Sequence, residues 1–179
     1  MKVITAPEEY DCKDKDVICF LAGGITNCSD WQQEVIKELK NMENGGAYMD
    51  NLVIINPRRE SFPIDDPNAA EEQIEWEFKW LQRANIFSMY FCTGESDQPI
   101  CMYELGRNIV MMQWKFDATW KNRIVISIED GYKRQQDVNI QTKLATGKNY
   151  IVLNNANPRI HAARILVAYT RIRRIKYYE

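Results

Sequence analysis

Four short apolar runs limit what this chain can fold into: Val17–Leu21 (VICFL), Leu52–Ile55 (LVII), Ile86–Phe91 (IFSMYF) and Arg123–Ile128 (RIVISI). They are too short for helices and lack polar alternation, so they read as strands buried on both faces. Longer amphipathic segments separate them. Trp31, Val35, Leu39 and Met42 fall in one stripe behind Ser29 and Gln32, which read as a capping box. Ala69–Arg83 starts with Glu71 and Glu72, suited to a positive helix end, and places Ile74, Phe78 and Leu81 on an expected core stripe. Pro99–Gln113 has proline at its first position and Met102, Leu105, Ile109 and Met112 on one face. Asp137–Leu144, with Asp137 as its cap, and Ile160–Tyr169 complete the helices, and Tyr150–Leu153 offers a last strand. This alternation predicts an α/β fold: a doubly wound, five-stranded, mainly parallel sheet with helices on both faces.

At 179 residues the chain suits a single domain with a real core, expected over residues 17–179 behind an N-terminal arm of residues 1–16. That arm is polar and mixed in charge, a leader strand or a loose end. Formal net charge is −2, so a nucleic-acid partner has no global electrostatic support; the basic tail (Arg171, Arg173, Arg174, Lys176) reads as a solvated helix end. Five cysteines form no CxxC pair, which predicts reduced thiols and a cytoplasmic location. No secretory leader or membrane span is expected. The single histidine, His161, has no ligand-spaced neighbour, so it reads as a surface or capping residue, and neither a metal nor another cofactor is expected.

Ligands in open α/β sheets bind beyond the carboxyl ends of the strands. Four strand exits follow Leu21, Ile55, Phe91 and Ile128, and three of them carry polar candidates. Gly23, Gly24 and Asn27 follow the first, where glycine permits close approach of backbone to ligand. Arg58 and Arg59 leave the second and could hold an anionic group, or lie solvated on the surface. Glu95, Asp97 and Glu104 follow the third. Glu104 lies off the expected core face of its helix, among Ile100, Tyr103 and Met111, which are not the neighbours of a fully wet face. Glu77 sits about 60° from the expected stripe of its own helix. Trp76 and Trp80 project from the opposite side, against either a second subunit or a loop of the same chain. Paired carboxylates without metal or histidine suit cleavage of a glycosidic bond through an oxocarbenium-like transition state.

The segments AGGITNCSDWQ (Ala22–Gln32), NPRR (Asn56–Arg59), QIEWEFKWLQRANI (Gln73–Ile86), PICMYELGR (Pro99–Arg107) and YKRQQDVNIQTKLA (Tyr132–Ala145), in this order, resemble the nucleoside 2-deoxyribosyltransferase-like family. The resemblance covers about Val17–Leu153 and implies a Rossmann-like, flavodoxin-type sheet. It also implies cleavage of a nucleoside N-glycosidic bond and transfer of 2-deoxyribose to another base. Glu104, in the ELG motif, matches the nucleophile that forms a covalent glycosyl–enzyme. Glu77 matches a carboxylate that helps protonate the leaving base. Glu95 matches a loop carboxylate for the sugar hydroxyls, with Asp97 as its rival. Gly23, Gly24 and Asn27 are implied to line the substrate pocket, and Tyr103, beside Glu104, is a further substrate-binding candidate. A homo-oligomer is implied, with sites completed by a neighbour. The sequence departs from the family pattern at Asn85, where an acid is usual, and in the longer Glu95–Glu104 spacing. Hydrolases of nucleoside monophosphates share this scaffold, and Arg58 and Arg59 would then read the phosphate. A nucleotide-binding module without turnover is the non-enzymatic alternative.

Overall fold

A computed structural model describes residues 1–147 and 150–176, the side chains of 175 and 176 excepted. Its strands are β1 (Lys2–Thr5), β2 (Val17–Gly23), β3 (Leu52–Asn56), β4 (Ile86–Phe91) and β5 (Ile124–Ile128). The helices are α1 (Trp31–Asn44), α2 (Ala69–Arg83), α3 (Pro99–Phe116), α4 (Gln135–Thr146) and α5 (Pro158–Lys176). The five strands form one parallel sheet in the order β1-β3-β2-β4-β5. The expected doubly wound α/β architecture is therefore the one observed.

Burial on both faces explains the apolar runs. Phe20 and Ala22 of β2 enter one core with Phe87, Met89 and Phe91 of β4, Trp80 of α2, and Leu105, Ile109 and Met112 of α3. Cys19 and Leu21 enter a second core on the opposite face, with Trp31, Val35 and Leu39 of α1 and Ile165 and Tyr169 of α5. Strand order, not strand direction, reverses between β2 and β4: β3 lies on one side of β2 and β4 on the other. That switch point opens the crevice in which sheets of this kind bind ligands.

Several local expectations are corrected. The fifth strand is β1, paired with β3 from Lys2↔Val53 to Thr5↔Asn56, and not Tyr150–Leu153. Leu153 makes only an isolated bridge to Ser127, because the chain turns away through Asn155, whose φ of 53° is left-handed. Helix α1 is capped by Asp30, not Ser29: Asp30 Oδ1 accepts from Gln33 N at 3.1 Å. Asp137 lies inside the first turn of α4 and pairs with Arg134 at 3.3 Å.

The largest correction is the orientation of α2. Trp76 and Trp80 are buried with Leu81, whereas Ile74 is 66% and Phe78 50% exposed. The two indoles bury more apolar area than Ile74 and Phe78 offer. Trp76 also needs an acceptor, and its Nε1 donates to the Glu8 carbonyl of the N-terminal segment at 2.9 Å. The tryptophans thus pack under the chain's own N-terminal segment. Arg171 donates to Asn122 Oδ1 at 3.3 Å and Arg173 lies over the Tyr48 ring; the side chain of Lys176 lies outside the described residues. Among the described residues no helix is long and apolar enough to cross a membrane.

Candidate active site

Glycine shapes the floor of the crevice. Gly23 ends β2 with φ of 151°, and a Cβ there would lie 2.6 Å from Trp31 Cζ2 and against the Tyr90 carbonyl. Trp31 Nε1 donates to the Gly24 carbonyl at 2.9 Å, pinning the turn to α1. The loop after β2 then meets the loop after β4 in an antiparallel bridge, Cys28↔Gly94. A Cβ on Gly94 would sit 2.6 Å from the Asn27 carbonyl, so this closure also depends on glycine.

From that closure the chain runs through Ser96 and Gln98 into α3. Gln98 has left-handed backbone (φ 52°) and a buried side chain. Its Nε2 donates to the Cys92 carbonyl at 2.6 Å, while its Oε1 is buried with no hydrogen-bond partner. Gly23, Gly24, Ile25, Thr26, Ser96, Gln98, Pro99, Ile100, Cys101, Glu77 and Glu104 line a cavity of about 220 Å³. Glu104 comes from α3 and Glu77 from α2, so two helices on the same face of the sheet bring two carboxyls to one cavity.

Burial and like charge set their acidity. Desolvation raises Glu104 to about 7, with a further upward push from Glu77 and an opposing one from Arg107. Glu77 is also raised by burial, against the hydrogen bond from Gln73 and the positive charge of Arg59. Burial pushes the neighbouring Cys101 thiol up to about 12, which leaves it a neutral wall at physiological pH. A carboxyl pair of this kind can offer one attacking carboxylate and one proton donor.

Other sequence candidates lie elsewhere. Glu95 and Asp97 are exposed and absent from the cavity lining, although Ser96 and Gln98 beside them contribute to it. The Asp97 carbonyl accepts from Tyr132 Oη at 2.9 Å. Asn27 is exposed, and Tyr103 is 66% exposed with its ring under the Arg107 guanidinium. Arg58 and Arg59 line a larger neighbouring cavity of about 790 Å³ that contains neither Glu77 nor Glu104. That cavity is the larger of the two, and the paired carboxyls line the smaller one. Arg58 donates to the carbonyls of Ser29 (2.6 Å) and Cys28 (3.1 Å) and to Gln32 Oε1 (3.3 Å), so it ties β3 to the loop after β2.

Sequence reading missed Thr26, Ser96, Gln98 and Cys101 in this lining. Gln98 had a signal, its place immediately before Pro99 at a helix start, but side-chain direction there depends on a left-handed backbone that glutamine seldom adopts. His161 is likewise corrected: it is fully buried on the far face, between Ser88 Oγ (2.6 Å from Nε2) and Ser127 Oγ (2.7 Å from Nδ1). The sheet separates it from the carboxyls.

The family model described as nucleoside 2-deoxyribosyltransferase like matches residues 16–116, more than half of the chain. The chain belongs to the nucleoside 2-deoxyribosyltransferase-like family. No curated protein matches it. The matched region runs from β2 to the end of α3 and so includes both glycines of the first strand exit, Glu77 and Glu104. This nucleoside 2-deoxyribosyltransferase-like domain falls in a family that is generally enzymatic, its members catalysing glycosyl transfer.

Proposed function

We propose that this protein cleaves the N-glycosidic bond of a nucleoside and transfers its 2-deoxyribose to a second nucleobase. The observation that carries the reading is the pair Glu104 and Glu77 in one glycine-floored cavity at the switch point of the sheet. Glu104 attacks the anomeric carbon as a carboxylate. The bond from that carbon to the base nitrogen breaks, and its electron pair leaves with the base, which takes a proton from Glu77. A nitrogen of the second base, giving its proton to the Glu77 carboxylate, then attacks the anomeric carbon and releases Glu104 as a carboxylate. The Gln98 Oε1 acceptor and the Ser96 and Thr26 hydroxyls offer partners for sugar hydroxyls or base N–H groups.

The described residues lining this cavity include no lysine or arginine. Arg58 is occupied by loop carbonyls, and Arg59 gives its Nε to Gln73 and lines the separate, larger cavity. These observations favour a neutral nucleoside over a nucleoside monophosphate. We also propose a homo-oligomer, with the contact at Ile74 and Phe78 of α2 and Ile100 and Tyr103 of α3. All four are exposed, and Arg107 lies over both Phe78 and Tyr103. The five free cysteines suit a reducing, cytoplasmic compartment.

The test is incubation of the purified protein with deoxynucleosides, ribonucleosides and their monophosphates, with and without a second base, followed by product analysis. New deoxynucleoside is expected only when the second base is present. Glu104→Ala is expected to abolish both turnover and the covalent sugar adduct seen by intact mass. Binding without any release of base would identify a non-catalytic module and overturn the proposal.

A further inference from the structure

Glu77 does not stand alone on α2. Gln73, one turn earlier, donates from Nε2 to Glu77 Oε1 at 2.7 Å and to the Pro57 carbonyl at 2.8 Å. Its Oε1 accepts from Arg59 Nε at 2.6 Å. An arginine can only donate, so Arg59 forces the amide oxygen of Gln73 toward itself and the amide N–H pair toward Glu77 and Pro57. Both ends of the amide are used, and its orientation has one solution. Arg59 is itself held with its guanidinium 5.6 Å from the Phe62 ring centroid. The loop after β3 therefore sets the direction in which a carboxyl on α2 presents itself.

We propose that Gln73, oriented by Arg59, is a positioning residue for Glu77: it occupies Oε1 and leaves Oε2 to carry the proton to the departing base. This rests on the glycosyl-transfer reading given above. The proton on Oε2 passes to the base nitrogen as the glycosidic bond breaks, and Glu77 is left as a carboxylate. Gln73 donates a charge-assisted hydrogen bond to that carboxylate, and Arg59 places a positive charge behind it. Both stabilise the product of the transfer, so they make Glu77 a better acid despite its burial. The charged and titratable groups acting on this carboxyl pair are Glu104, Cys101 and Arg107 from α3 and Arg59 from the loop. The like charge between the two carboxyls falls on Glu104, which Glu77 raises; at Glu77 itself burial opposes ionisation, and Gln73 and Arg59 offset it.

Gln73→Met keeps the length of the side chain but cannot donate. It is expected to lower kcat about tenfold or more while KM changes less than about threefold, since the loss falls on the transition state. The limb of the pH–rate profile on which activity falls as Glu77 loses its proton should move to higher pH. Arg59→Met should move that limb the same way by a smaller step. Gln73→Glu, which keeps an oxygen for Arg59 but cannot donate as a carboxylate, should not rescue Gln73→Met. Carbon-13 NMR titration of labelled glutamates, assigned with Glu77→Gln, reads the same change without turnover: Glu77 should titrate at higher pH in both Gln73→Met and Arg59→Met. An unmoved Glu77 titration in folded Gln73→Met would overturn the proposal, whatever its activity. A moved titration in a protein that turns over no nucleoside would instead overturn the glycosyl-transfer reading and leave the Arg59–Gln73–Glu77 relay standing.

Discussion

Glu104 shows how much one residue depends on its surroundings. Its folded-state carboxyl is raised from 4.5 to about 7 by burial and then by Glu77. In the proposed reaction attack on carbon needs the carboxylate, so the acid limb of activity should rise with pH through about 7. The same shift has a cost in stability. The folded state holds this proton at pH values where the unfolded chain has released it, so stability falls as pH rises from about 4.5 through 7. Glu104→Gln should therefore be more stable than the wild type at pH 8, by on the order of 2 kcal/mol, with the difference vanishing near pH 4. Urea denaturation of both proteins at the two pH values measures this. Gly23 makes the complementary case, a position where the absence of a side chain matters. Its positive φ and the approach of Trp31 leave no room for a Cβ. Gly23→Ala should lose more than about 1 kcal/mol and weaken nucleoside binding, measurable by denaturation and calorimetry.

At the scale of the element, α2 is the instructive helix. It carries apolar groups on two sides, and sequence periodicity alone favoured the Ile74–Phe78 side. The structure buries Trp76 and Trp80, because the N-terminal segment supplies both apolar cover and a carbonyl for the Trp76 indole. Trp80→Ala is expected to cost about 3–5 kcal/mol, as a large group lost from a packed core. Ile74→Ala should stay within about 0.5 kcal/mol in the monomer. Equal losses for the two variants in denaturant titrations would refute this orientation. Helix α3 was more legible: Leu105, Ile109 and Met112 pack on the sheet as their spacing indicates, and Glu104 stands off that face.

At the scale of the whole molecule, the buried histidine joins parts that the carboxyl site does not touch. His161 of α5 bridges Ser88 of β4 and Ser127 of β5, and burial lowers its pKa from 6.5 to about 3. The folded state keeps it neutral while the unfolded chain takes up a proton, so this contribution to stability is lost as pH falls from about 6.5 toward 3. Nitrogen-15 NMR should show the imidazole neutral at pH 5, and Tm should fall through the same window. A protonation step near 6.5 in the folded protein would contradict this.

Sequence alone determined the strands at the heart of this protein and the class of fold. Runs such as VICFL are dictated by local chemistry: every residue needs cover, and only a sheet sandwiched between helix layers supplies it to both faces. It also singled out Gly23, Gly24, Glu77 and Glu104, through strand exits, helix faces and family resemblance. What surrounds those residues required tertiary structure. Gln98 enters the lining through a left-handed turn, Gln73 is oriented by an arginine fourteen residues earlier, and Arg58 is drawn to carbonyls about thirty residues before it. Hydrogen bonds between distant segments leave no periodic trace in a chain. They form only after the parallel sheet has brought its strand exits to one edge, and that assembly places two carboxyls in one cavity.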